Sequence, residues 1–144
     1  MEELLAALAQ AIEDYRMALK ECETKYRPTD GLLGFGHSIK DDPCHGQVDE
    51  RVEKIVAEIH DADPSPQDAE KAALMLLARD DVTSWPISAQ FMLRALERHS
   101  IPLIPSLSPE TANALLKKYN ERYKRWERFP AQNEVFKALK ARAK

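Results

Sequence analysis

The chain has 144 residues, of which 44% are apolar and 31% charged, with a net charge of −3 at pH 7. That length suits one domain spanning 1–144 with a core of its own, and two cysteines exclude a disulfide framework. No apolar run approaches the roughly 20 residues of a membrane-spanning helix, and the acidic opening MEELLAALAQ argues against a presequence, so a cytoplasmic protein is expected.

Nine prolines punctuate the chain, and the stretches between them read as helices. The first spans about 2–26, with Leu5, Leu8, Ile12, Tyr15, Leu19, Cys22 and Tyr26 spaced alternately three and four apart. That is an a/d seam of three heptads, flanked by Ala9, Ala11 and Ala18. Its partner is either a helix of this chain or the same helix of a second subunit, and spacing alone does not separate the two. A loop at about 27–41 follows. The second helix begins at Asp42-Pro43, with Asp49 and Glu50 near its positive end and a buried stripe of Val48, Val52, Ile55 and Ile59.

Ser65-Pro66 opens the third helix, where Asp68 completes an approximate capping box. Its AALMLLA run is apolar nearly all round, which places it at the centre of the bundle. The fourth helix is expected over 86–99, and the proline-rich connection at about 100–108 is expected to be extended. The fifth runs from Ser108-Pro109 to Arg128, burying Ala112, Leu115, Leu116, Tyr119, Tyr123 and Trp126. The sixth, over 131–142, buries Val135, Phe136 and Leu139. No segment alternates as a strand does. The expected fold is an all-α, single compact bundle of five or six helices.

Chemistry concentrates in GLLGFGHSIKDDPCHG, residues 31–46, which holds all four glycines. It lacks the Gly-Lys-Ser/Thr of a phosphate loop and follows a helix rather than a strand, so both nucleotide-binding fingerprints fail. His37, Cys44 and His45 are the candidate ligand or metal residues, with Asp41, Asp42 or Asp49 as a fourth donor. Their spacing matches no familiar zinc pattern, so no metal and no cofactor is expected. Cys44 in a first helical turn would favour thiolate, but Asp41 and Asp42 oppose it. His45 also falls in register with Val48 and Val52, as a residue at the core edge would.

Charge is segregated. Residues 117–144 carry ten Lys and Arg against three Glu, whereas the first 116 residues are strongly acidic. Lys117, Lys118, Arg122, Lys124, Arg125 and Arg128 are the candidates for an anionic partner. The aromatics between them lie at core spacing rather than as base-stacking platforms, so nucleic acid is an alternative and not the favoured partner. A helix-turn-helix forced onto 79–99 would expose only Ser88, Gln90, Arg94 and Arg98. With no catalytic constellation assembled, the expectation is a non-enzymatic helical protein acting through protein contacts, as a homodimer or with another protein. The alternatives are a small-molecule or metal-binding protein, or a thiol enzyme, at 31–46.

Overall fold

The structure is a computed structural model and describes residues 1–25, 46–77, 96–122 and 130–144. It contains α1 (Glu2–Lys25), α2 (Gly46–Asp61), α3 (Pro66–Leu76), a 3-10 segment (Leu96–Ser106), α4 (Pro109–Arg122) and α5 (Pro130–Ala143). The described residues contain no strand, and the fold is an all-α bundle. Among these helices none is long and apolar enough to cross a membrane.

Helix starts follow the Ser-Pro chemistry. Ser65 Oγ accepts from Asp68 N–H at 3.2 Å, and Ser108 Oγ accepts from Thr111 N–H at 3.1 Å. Each proline then fills the first turn, where an N–H has no helical partner to lose. At the end of α2, Asp63 takes a φ of 53° and donates its N–H to His60 C=O at 3.1 Å. Pro64 follows and cannot extend the helix.

The proline-rich connection departs from expectation. Residues 100–108 are not an extended strap, because Leu96–Ser106 winds as successive 3-10 turns that include Pro102 and Pro105. Leu96, Glu97, Arg98 and His99, expected to end an α-helix, belong to these turns. The physical reason is that the proline ring sets φ near −65°, which 3-10 turns share with extended polyproline geometry. Spacing of three puts Pro102 and Pro105 on one edge of a helix with three residues per turn, and both are exposed. There the missing N–H groups leave few unmet partners.

This segment divides the interior. Leu96 and Leu103 join a cluster with Leu5, Leu8, Ile12 and Tyr15 of α1 and Val52, Ile55, Val56 and Ile59 of α2. Ile104 and Leu107 join another with Ala112, Leu115 and Tyr119 of α4 and Val135, Phe136 and Leu139 of α5. Helix α3 serves both, with Ala72 and Leu76 in the first and Ala69, Ala73 and Leu77 in the second. It is central, as expected, but it is not buried all round: Leu74 is 46% exposed. Tyr119 and Phe136 stack tilted, with ring centroids 4.7 Å apart.

The α1 seam is resolved in the same way. Leu5, Leu8, Ile12 and Tyr15 are buried within one chain, against α2 and α3. The first half of the heptad pattern therefore serves intramolecular core. The side chains of Leu19 and Cys22, and Tyr26 altogether, lie outside the described residues. Leu8→Ala is expected to cost about 2–5 kcal/mol in denaturant unfolding. Leu8→Asp with Ile12→Asp should abolish the cooperative melt, whereas folded monomers would mean the seam is an intersubunit surface.

Candidate functional site

A heptad register runs through α2 at 49, 52, 56 and 59, and the first of these positions is a carboxylate. Asp49 is fully buried, with 0% exposure, among Val52 and its neighbours. Such a charge is stable inside only when it is paired and hydrogen-bonded. The 3-10 segment supplies both partners from adjacent residues. Arg98 Nη2 donates to Asp49 Oδ2 at 2.7 Å, and His99 Nε2 lies 2.9 Å from Oδ1. Tight turns make this double contact feasible, since successive side chains project about 120° apart and reach the two oxygens from different sides.

Burial pushes the Asp49 carboxyl upward, but the hydrogen bond and charge of His99 oppose it, together with the charge and hydrogen bond of Arg98. The balance holds Asp49 below the ordinary carboxylate range. His99 is itself buried, and Arg98 is 28% exposed at the side chain. Neighbouring turns add to the polar framework. Ser100 Oγ donates to Glu97 C=O at 2.7 Å, and Glu97 is also buried. Glu53, one turn beyond Asp49 on α2, presents an exposed carboxylate to the same region. Ligand-type atoms of Asp49, Glu53 and His99 all lie within 4.8 Å of one another.

The constellation differs from the one expected around residues 31–46. His37, Cys44 and His45 lie outside the described residues. Lys117 and Lys118 are exposed on α4, off the Ala112–Leu115–Tyr119 stripe. The side chain of Arg122 lies outside the described residues, as do Lys124, Arg125 and Arg128. Asp49, a candidate fourth metal donor beside His37, Cys44 and His45, is paired with His99. Arg98, a reading residue in a helix-turn-helix, is engaged with Asp49 in a 3-10 turn. The missed signal is the register: an aspartate three residues before Val52 and seven before Val56 lies on the buried face.

A second feature lies at the other end of α3. Leu74, Ala114 and Leu115 line a groove of about 370 Å³ between α3 and α4, bordered by Glu70, Glu110, Thr111 and Lys118. Compared with known proteins, the chain matches no family model, and no curated protein or solved structure matches it significantly.

Removing the carboxylate leaves the Arg98 guanidinium and the His99 ring without their buried partner, so Asp49→Ala is expected to cost about 3–5 kcal/mol. Because the folded Asp49 value is lowered, its contribution is complete above about pH 4 and is lost as pH falls through the folded value. Urea titrations across that range should show a steeper acid loss in the parent protein than in Asp49→Asn. Equal slopes would mean that the pair contributes nothing to acid sensitivity.

Proposed function

We propose that this chain is a non-enzymatic helical protein acting through protein contacts, that it self-associates, and that the α3–α4 groove is the contact surface. The observation carrying this reading is Leu74, a large apolar side chain 46% exposed in a groove floored by Leu115 and Ala114. The apolar run of α3 exceeds what the two interior clusters use, and the surplus faces outward. The groove border supports a second copy as the partner. Glu70 and Glu110 lie on the same surface as Lys118, so a twofold contact brings Lys118 of one copy towards the acidic border of the other. Leu74 is already half-buried, so covering its remaining surface contributes about 1 kcal/mol per side.

The α1 seam lends no support to this dimer, since its described half is filled by α2 and α3. The proposed setting is the cytoplasm, where two cysteines in 144 residues need no oxidising compartment.

Sedimentation equilibrium of the purified chain should fit a reversible dimer. Leu74→Glu should yield monomers with unchanged helical dichroism, and Lys118→Glu should weaken the dimer by placing like charges across the twofold axis. A parent protein that stays monomeric at high concentration rules the reading out, as does a dimer indifferent to Leu74→Glu.

A further inference from the structure

We propose that Asp49, Glu53 and His99 form a binding site for a divalent transition metal of the zinc class, with three protein donors and water completing the shell. The inference is independent of the dimer reading.

It begins with donor geometry. Asp49 and Glu53 lie four residues apart, so one face of α2 presents both carboxylates. His99 arrives from the 3-10 segment and brings Nε2 to 2.9 Å from Asp49 Oδ1. Bonds of about 2.0–2.2 Å to nitrogen and oxygen put adjacent donors around one tetrahedral zinc ion about 3.3–3.6 Å apart. The His99–Asp49 pair is hydrogen-bonded at 2.9 Å and opens by about half an ångström to admit the ion, and the Glu53 carboxylate is within 4.8 Å of both donors. A rotamer change at this exposed residue closes the third side. The 3-10 turns and α2 hold the other two donors in a buried frame, so little of that frame must be ordered on binding.

Arg98 fixes which oxygen is offered. Its guanidinium occupies Oδ2 at 2.7 Å and leaves Oδ1 towards His99, as outer-shell partners orient a ligating carboxylate. Arg98 also limits the choice of ion. Two carboxylates against one guanidinium leave a site charge of −1, too little for calcium, which takes six to eight oxygens. A nitrogen donor with two carboxylates and a low coordination number suits zinc, and cobalt as its probe.

The test uses the full chain, stripped with chelator and titrated with zinc chloride by calorimetry in buffers of different ionisation enthalpy. One ion per chain is expected. Glu53→Gln, at an exposed position, should leave helical dichroism unchanged and weaken binding at least tenfold or so, since even outer-shell losses cost that much. Glu53→His restores a donor and should recover binding. Cobalt loading should give visible bands without a thiolate charge-transfer band. Absence of zinc uptake overturns the proposal. So does uptake indifferent to Glu53→Gln, or a cobalt–thiolate band, either of which moves the ion to Cys44, His45 or another donor set.

Discussion

The contact on which the rest of the structure depends is the buried Asp49 carboxylate, ion-paired with Arg98 and hydrogen-bonded with His99. It ties α2 to the 3-10 segment, and that segment packs in turn on α2, α3 and α5. A buried carboxylate is costly, and apolar replacement of such a group is often neutral or stabilising. What the pair provides is selection. Only one placement of the segment satisfies both carboxylate oxygens, and that placement puts Leu96 and Leu103 towards α1 and α2 while Ile104 and Leu107 face α4 and α5. A shift of one residue along the segment would cost Asp49 one of its two partners, replacing it with Glu97 or Ser100.

The segment itself is unusual in length, since 3-10 runs beyond three or four residues are uncommon. Its geometry is poorer than an α-helix, and local propensity does not sustain eleven residues of it. Prolines at 102 and 105 disfavour the α alternative, because each ring clashes with the carbonyl four residues before it. Packing on both sides then keeps the chain coiled rather than extended. Three residues per turn also generate its division of labour: Leu103 and Ile104 are adjacent yet fall in different clusters, because neighbouring side chains diverge by a third of a turn.

These particulars explain what was legible in the sequence. The Ser65-Pro66 and Ser108-Pro109 starts were readable because capping is local chemistry, spanning three residues. The buried stripes of α4 and α5 were readable because periodicity is local too, and Ala112, Leu115, Tyr119, Val135, Phe136 and Leu139 are all buried. The 3-10 course was not readable, since proline's φ fits two geometries and only tertiary packing chooses between them. The site was harder still. Asp49 and His99 are 50 residues apart, and each has an innocent local explanation, one as a dipole partner near a helix start and the other as a helix end. Its presence was signalled only by a carboxylate in register with an apolar face.

Heptad spacing on α1 illustrates a different limit. The same pattern serves an internal helix pair or a subunit interface, and here its described half is internal. The segregated charge then acquires a spatial meaning. Helices α1 and α2 pack together at one side, α4 and α5 at the other, with α3 and the 3-10 segment between. Lys117, Lys118, Lys137 and Lys140 are exposed on the basic side, and Glu50, Glu53, Glu58 and Asp61 on the acidic side. The α3–α4 groove therefore marks the boundary between the two. A twofold axis running along that boundary sets the basic side of one copy over the acidic side of the other, whereas an axis across it would oppose like charges. In the proposed dimer, charge segregation of this kind would favour that one orientation, with the exposed Leu74 within the contact.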